Sequence, residues 1–413
     1  MPHGFAPDRL AHVAHAIKAH YVDSGLLPGA LTLVWRKGEV AHLGMSGVSD
    51  LERKTPMRED AIFRLYSMTK PITSVALLML LEEGKVALDD FVHRYIPGFE
   101  RLGVFAGGTL DSGFLSSPAA KPMKVMDLLR HTSGLTYGIL ARTNLDAAYA
   151  RLHIGEAASP GGLPAMIAQL EQLPLEFAPG TAWNYSVATD VVGYLVEKIS
   201  GMRFGDFVRE RILKPLGMPD TDFYVPAEKQ ARLASCYVSR LGKLVLYDDG
   251  QKSTYAAPPP LESGGGGLAG TAGDYLRFCR MLLGGGALPK ENGKEAVRLL
   301  SPKTVALMTM NHLPGGKEMT DLMPSTTAFN ESGYSGVGFG LGVAVTTNLS
   351  RAALPGTVGE YSWGGAAATY FFCDPKEDMA VIFMTQVLGM PERVRLRREL
   401  RTLVYGAMRE SFA

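Results

Sequence analysis

Segments with strand composition lie near both ends of this chain, and the long region between them is patterned as helix. Near the amino terminus, residues 30–35 and 40–45 flank the turn-forming residues 36–39, which predicts a hairpin. Strand composition returns near the carboxyl terminus in three ranges, namely 337–345, 367–373 and 379–387. These positions predict one sheet built from both chain ends, with a helical insert between them.

Apolar residues at helical spacing mark the rest of the chain. The predicted helices are 8–22, 72–83, 123–130, 145–152, 163–173, 187–199, 204–213, 271–283, 301–310 and 392–408. Asp8 is predicted as the N-cap of the first of them, and Gly201 as a C-terminal cap. Residues 237–266 are predicted to be irregular, because they contain a Pro-Pro-Pro run and a four-glycine run.

Composition excludes several classes of protein. A chain of 413 residues suggests two or three folding units, and 46% hydrophobic with 20% charged residues is typical of a globular protein. The net charge of +1 gives no global attraction to nucleic acid or to an anionic membrane. Three widely spaced cysteines indicate no disulfide framework, and no segment is typical of a leader or a membrane span. We therefore expect a soluble, cytoplasmic protein.

Ser67-Met68-Thr69-Lys70 is the one Ser-x-x-Lys sequence in the chain. It stands between a short extended segment and the strongly apolar helix 72–83, so Ser67 is expected where backbone N–H groups and the helix dipole favour negative charge. Lys70 lies one turn further on the same face and can reach the Ser67 hydroxyl. A serine nucleophile needs a base, and a buried lysine with a lowered pKa can supply one.

An ordinary helix cap is the competing interpretation of this tetrapeptide, because Ser at a helix start is common. The position of Lys70 favours catalysis instead. An unpaired lysine at the start of a helix this apolar is costly unless it has a function.

Four ordered motifs resemble those of one family, the family VIII carboxylesterases, which are serine hydrolases similar to class C β-lactamases. The motifs are Phe63-Arg64-Leu65-Tyr66-Ser67-Met68-Thr69-Lys70-Pro71, then Asp127-Leu128-Leu129-Arg130-His131-Thr132-Ser133-Gly134-Leu135, then Phe177-Ala178-Pro179-Gly180 with Tyr185-Ser186, and then Trp363-Gly364-Gly365. The resemblance covers most of the chain, from about residue 28 to 385.

This resemblance implies a fold, a site and a reaction. The fold is α/β (α+β): an antiparallel sheet flanked by helices forms a discontinuous domain of residues 1–85 and 236–413, and residues 86–235 form an all-helical domain. The site lies in the cleft between them. Ser67 is implied as the nucleophile, Lys70 and Tyr185 as the proton relay, and the amides of Ser67 and Ala366 as the oxyanion hole. A Tyr185 phenol beside an ammonium is expected to have a lowered pKa.

The chain departs from the antibiotic-degrading relatives at two motifs. Val187 stands where the resemblance places an asparagine that binds a lactam amide. Trp363 stands where it places the lysine of a carboxylate clamp. We therefore expect Val187, Trp363, Gly364 and Gly365 to line a site for a neutral ester. Tyr137 is either a further wall of this site or an ordinary loop aromatic.

Other motifs carry weaker signals. Residues 265–270 match a dinucleotide-binding pattern, but prolines stand where the required strand would be, so no cofactor is predicted. No histidine or cysteine spacing predicts a metal, and His131 is expected to make a structural hydrogen bond. The expected partner is a small ester, with no nucleic acid or membrane partner and an unknown oligomeric state. The alternatives are a β-lactamase or peptidase, an acyltransferase to an alcohol, and a non-catalytic binding protein.

Overall fold

The computed structural model describes residues 2–290, 296–323 and 331–413. The α-helices are α1 (Pro7–Ile17), α2 (Thr69–Glu82), α3 (Val125–Leu129), α4 (Asn144–Arg151), α5 (Gly162–Leu170), α6 (Ala188–Ser200), α7 (Phe204–Val208), α8 (Lys214–Leu216), α9 (Ala272–Leu283), α10 (Pro302–Met308), α11 (Met319–Leu322), α12 (Leu349–Ala352) and α13 (Arg393–Gly406). Short π-helical turns at Lys18–Val22 and Arg209–Leu213 extend α1 and α7.

The strands follow the same chain order. They are β1 (Gly29–Arg36), β2 (Glu39–Asp50), β3 (Thr55–Pro56), β4 (Phe63–Arg64), β5 (Val104–Thr109), β6 (Gly113–Ser117), β7 (Cys236–Arg240), β8 (Lys243–Asp248), β9 (Ala269–Gly270), β10 (Ala287–Leu288), β11 (Val297–Arg298), β12 (Val337–Phe339), β13 (Ala344–Thr346), β14 (Tyr361–Gly364), β15 (Tyr370–Asp374), β16 (Met379–Met384) and β17 (Val387–Leu388).

The largest sheet has eight antiparallel strands and confirms the predicted fold class. Its order is β12-β13-β14-β15-β16-β1-β2-β3, so the first hairpin of the chain pairs directly with the last long strand. Leu31 lies opposite Met384, which fixes the register of this junction. The sheet is therefore assembled from both chain ends, as the distribution of strand patterns predicts.

Both faces of this sheet are covered, because successive strand residues enter two different cores. In β16, Ala380 and Ile382 belong to the large core on one face, and Val381 and Phe383 belong to a second core on the other. The second core is closed by α1 and α13, which pack against each other. The large core also takes in α2, α6 and α9, so the helix that begins just after Ser67 is anchored from several sides.

Several element predictions are confirmed, and one cap is wrong. The long helices α2, α6, α9 and α13 lie within a few residues of their expected bounds, and Gly201 caps α6 in a left-handed conformation. Asp8 is not an N-cap. Helix α1 begins at Pro7 and its cap residue is Ala6, because proline fits the first helical position without needing a hydrogen-bonded N–H.

Three stretches differ from the predicted organisation. The region 86–235 is not purely helical, because β5 and β6 form a hairpin there. Residues 237–266 begin with the β7–β8 hairpin instead of irregular chain, and 337–345 is split into β12 and β13. These strands are short and lack an alternating pattern, so hydrophobic periodicity does not predict them. Hydrogen bonds between the backbones of neighbouring strands stabilise them. The predicted domain bounds at 85 and 235 stay a prediction.

Short strand pairing brings the motifs together. Strand β4 pairs with β9, and the amide of Leu65 donates to the carbonyl of Leu268 at 2.9 Å. The glycine-rich run ahead of β9 is thereby placed beside the start of α2.

Within the described ranges, no helix is both long and apolar enough to cross a membrane. All three cysteines are free and buried.

Candidate active site

Ser67 lies in a tight turn that opens α2. A 3-10 turn covers Tyr66–Met68, and Tyr66 has a φ of 46°, which is strained for a residue with a side chain. Ser67 itself is half-buried, whereas Met68 and Lys70 are fully buried. The strained turn therefore leaves the Ser67 side chain partly exposed, whereas the residues that follow it at the start of α2 are buried.

Lys70 contacts three oxygen atoms at the base of the site. Its Nζ lies 3.3 Å from Ser67 Oγ, 3.1 Å from the Tyr137 hydroxyl and 2.7 Å from the carbonyl oxygen of Gly265. Gly265 is required there, because a Cβ would lie 2.4 Å from a carboxylate oxygen of Asp190 and 3.0 Å from the Tyr137 hydroxyl. The glycine-rich run that resembles a cofactor loop instead provides a carbonyl acceptor for the lysine.

Burial lowers the pKa of Lys70 to about 7, and the nearby Asp190 carboxylate opposes that shift. A neutral amine has two N–H donors and one lone pair. Gly265 and Tyr137 can accept the two donors, which leaves the lone pair for the hydroxyl proton of Ser67. The three contacts of Lys70 can therefore accommodate the uncharged form, which is the form that can act as a base.

Asp190 is a buried carboxylate of this site that sequence reasoning missed. It accepts hydrogen bonds from Ser263 Oγ at 2.5 Å and from the amide of Gly265 at 3.0 Å. Burial raises its pKa, and Lys70 opposes that shift. Its position in the first turn of α6 is typical of an ordinary helix-stabilising acid, so no local signal distinguishes it.

Tyr185 lies just before α6 and contacts Ser67. A hydrogen bond joins the Tyr185 and Ser67 side chains, and the Lys70 nitrogen lies 4.4 Å from the centre of the Tyr185 ring. Trp363 Nε1 donates to the Tyr185 hydroxyl at 3.2 Å. Strand β14 thus contributes a hydrogen-bond donor to the phenol, in addition to the apolar wall predicted for Trp363.

The expected direction of the Tyr185 pKa is wrong. Burial raises it, and the hydrogen bonds that the phenol oxygen makes with Ser67 and Trp363 offset only part of that rise. Desolvation dominates because the phenol is enclosed by aromatic side chains, with His131, Tyr137 and Trp363 rings 4.9–5.4 Å away. Tyr185 is therefore a neutral phenol, and of the two side chains it is Lys70 whose pKa is lowered.

The other predicted wall residues fall in different places. Tyr137 is in the site, with its hydroxyl on Lys70 and its ring 5.4 Å from that of Tyr185. Val187 is 0% exposed and packs towards Gly155, so its side chain belongs to the core in this structure. Its effect on substrate choice stays a prediction.

The proposed oxyanion amides belong to two segments in close contact. Ala366 is half-buried and follows β14, which contacts the Tyr66–Met68 turn. A Cβ on Gly365 would lie 2.5 Å from the Leu65 carbonyl oxygen, so no larger residue fits between the two segments. Neither the Ser67 amide nor the Ala366 amide donates a hydrogen bond to another described residue. Both are available to an external acceptor.

His131 has a structural environment, as expected. Its Nδ1 lies 3.2 Å from Ser186 Oγ, and burial lowers its pKa well below the usual value. In the parts of the chain that the structure describes, no group of three or more His, Cys, Asp or Glu side chains is arranged to hold a metal ion.

Comparison with known proteins supports the same family. The Beta-lactamase family model matches residues 15–405. Protein Rv1367c of Mycobacterium tuberculosis is 38% identical over 91% of this chain and 92% of its own length. Esterase EstB of Burkholderia gladioli is 30% identical over 92% of this chain and 91% of its own length.

A solved structure shows the same architecture over nearly the whole chain. It is described as EstCE1, a hydrolase with promiscuous acyltransferase activity, and it superposes with a TM-score of 0.78 at 28% identity. The alignment covers 97% of this chain and 99% of that one. This chain therefore belongs to the beta-lactamase family and is a serine hydrolase of that fold.

Proposed function

We propose that this protein is a serine carboxylesterase that hydrolyses short-chain esters through an acyl-enzyme on Ser67. One observation carries the proposal. The Lys70 amine, whose pKa burial lowers to about 7, lies 3.3 Å from the Ser67 hydroxyl at the start of α2. A hydroxyl with a neutral amine at this distance has a base for its proton at physiological pH.

The first half-reaction is acylation. Ser67 Oγ attacks the ester carbonyl carbon, and its proton moves to Lys70. The carbonyl oxygen becomes an oxyanion, which the Ser67 and Ala366 amides stabilise. The bond from carbon to the alcohol oxygen then breaks. The leaving alcohol takes a proton through the Tyr185 hydroxyl, which Lys70 replenishes.

The second half-reaction releases the acid. A water molecule gives a proton to the Lys70 and Tyr185 pair and attacks the acyl carbon. The bond to Ser67 Oγ then breaks, and Ser67 regains its proton. The relay returns to its starting state, so no cofactor is required in this scheme.

The expected substrate is a small neutral ester. Trp363 replaces the lysine that relatives with a carboxylate clamp carry, and its indole offers an apolar surface beside the nucleophile. EstB, an esterase by name, resembles this chain along most of its length, which supports ester hydrolysis over lactam hydrolysis. The preference for short acyl chains rests on the family resemblance. Buried free thiols favour a reducing compartment, so we propose a cytoplasmic location.

Intact mass measurement after a brief ester pulse tests the nucleophile and the reaction class together. A short-chain p-nitrophenyl ester is mixed with the protein and quenched in acid within the first turnovers. We expect one acyl group per chain, on the peptide that contains Ser67, because the acyl-enzyme precedes water attack. Release of nitrophenol with the adduct on another residue would contradict the proposal.

Acyl transfer to an alcohol is the second candidate, and EstCE1 supports it by its described acyltransferase activity. We expect that added short alcohols divert part of the acyl group from acid to new ester, because both acceptors attack the same acyl-enzyme. The measurement is the ratio of ester to acid at increasing alcohol concentration. A primary transferase would form ester almost exclusively at low alcohol concentration, whereas a hydrolase would keep acid as the main product.

A further inference from the structure

The last helix of the chain contacts the peptide group that carries the second oxyanion amide. Arg397, on α13, donates from Nη2 to the carbonyl oxygen of Gly365 at 3.3 Å and to that of Thr369 at 3.1 Å. The Gly365 carbonyl and the Ala366 N–H are two ends of one peptide group. A trans peptide is planar, and its C=O and N–H point in opposite directions. Fixing the carbonyl therefore fixes the direction of the N–H.

Other contacts leave this peptide little freedom. The Gly365 amide donates to the Thr369 carbonyl at 2.9 Å, which closes the turn between β14 and β15. Thr369 Oγ1 donates to the Leu65 carbonyl at 3.4 Å, on the segment just ahead of Ser67. A Cβ on Gly364 would lie 2.2 Å from Arg397 Nη2, so the guanidinium packs directly on the end of β14.

The hydrogen-bond acceptors of the Arg397 guanidinium are backbone carbonyls of the turn between β14 and β15. Its Nε has no hydrogen-bond partner among the described residues. Its guanidinium carbon lies 5.1 Å from the Tyr370 ring centre. Burial lowers its pKa to about 10, and Arg393 adds to this, so the group stays charged at neutral pH. Arg397 is half-buried, and a partly desolvated cation is costly unless its donors find acceptors, which the two carbonyls provide.

We propose that Arg397 is a positioning residue for the oxyanion hole, which aims and polarises the Ala366 N–H through the Gly365 carbonyl. The inference rests on the proposed function, because it takes the Ala366 amide as an oxyanion donor. A charged donor on the carbonyl draws electron density towards that oxygen and makes the N–H at the other end a stronger donor. Arg397 touches no reacting atom in this scheme.

The test compares two arginines of the same helix. Arg398 lies next to Arg397 and also donates to two backbone carbonyls, those of Ala352 and Ala353, at 3.1 and 3.2 Å. Those carbonyls lie at the end of α12, and none of the hydrogen bonds described for the site involves them. Arg397→Met and Arg398→Met therefore remove the same charge and the same kind of contact, and only the first concerns the oxyanion peptide.

For Arg397→Met we expect kcat for a p-nitrophenyl ester to fall by about 10- to 100-fold, with KM within about threefold, because the lost interaction acts on the transition state. Arg398→Met should keep kcat within about twofold. Arg397→Lys keeps a cation that can reach one carbonyl, so its kcat should lie between those of the wild type and Arg397→Met.

A thionoester, with C=S in place of C=O, reports on the oxyanion hole itself. Sulfur is a poorer acceptor, so an intact hole favours the ester strongly. We expect the ester-to-thionoester rate ratio to fall in Arg397→Met and to stay at the wild-type value in Arg398→Met. A purely structural role would lower both rates equally and leave the ratio unchanged, which would overturn the inference.

Three further outcomes decide the remaining cases. If Arg397→Met does not fold, judged by circular dichroism, the rate ratio of Arg397→Lys replaces it, and an unchanged ratio there overturns the inference. If wild-type Ser67 is acylated and Arg397→Met behaves like Arg398→Met, this inference fails and the proposed function stands. If wild-type Ser67 is never acylated, the proposed function fails first.

Discussion

Ser67→Ala is expected to abolish ester hydrolysis, with kcat falling by on the order of 10⁵-fold. The alanine removes the oxygen that lies 3.3 Å from the Lys70 amine and is hydrogen-bonded to Tyr185, so no acyl-enzyme can form on this residue. The fold should be retained, because Ser67 is half-buried and packs less than its neighbours in α2. The measurement is initial-rate kinetics with a short-chain p-nitrophenyl ester, alongside circular dichroism.

Ser74 provides a matched control in the same helix. Its Oγ is buried and has no hydrogen-bond partner among the described residues, so Ser74→Ala removes a hydroxyl without breaking a bond. We expect Ser74→Ala to keep activity within about twofold of the wild type. Substantial turnover in Ser67→Ala at wild-type stability would show that another group is the nucleophile.

Lys70→Met is expected to lower kcat by about 10³- to 10⁴-fold, because it removes the base while leaving Ser67 in place. Methionine has a similar length and no charge, so it suits a site that is 0% exposed. The variant should fold at least as well as the wild type, since it no longer buries an amine. Burst kinetics will show whether acylation is the step that slows.

The pH dependence of the wild type gives an independent measurement of the same group. The base must be unprotonated, and burial lowers the pKa of Lys70 to about 7, so kcat/KM should rise as pH increases through about 7. The Asp190 carboxylate raises that pKa, so Asp190→Asn should move the rise to lower pH. If Lys70→Met retains the same rise, the titrating group is another residue.

Lys18→Met is the control for this pair of measurements. Lys18 is exposed and lies 2.5 Å from Asp23 on the surface, where an ion pair contributes little. Both its rate and its pH profile should match the wild type. A change there of the size expected for Lys70→Met would show that the assay reports a general loss of charge.

The local features of this protein could be predicted from sequence because they depend on residues that are close along the chain. The hairpin of β1 and β2 follows from two apolar runs around a turn. The 3.3 Å contact between Ser67 and Lys70 follows from their spacing on one helical turn. The long helices follow from apolar residues that recur with a 3.6-residue period. This period marks the buried face of a helix, whichever element packs against that face.

The order of the motifs along the chain indicated the other residues of the candidate site. It gave their positions in the sequence, but not their contacts with one another. Tyr185 and Trp363 were named from their resemblance to a family, and the structure brings them into one aromatic cluster with Tyr137. Their catalytic roles stay predictions. Short hairpins such as β5 with β6 were missed, because neighbouring backbone pairing leaves little trace in side-chain pattern.

The chemistry of each group was decided only by the tertiary structure. The pKa of Tyr185 rises and that of Lys70 falls because distant segments bury both, and desolvation depends on everything packed around a charge. No sequence pattern singled out Asp190 or Arg397, because each forms hydrogen bonds with backbone groups from another part of the chain. The sequence determines which side chains lie one helical turn apart. Only the folded chain decides which of these side chains are desolvated, what charge they carry and which groups they face.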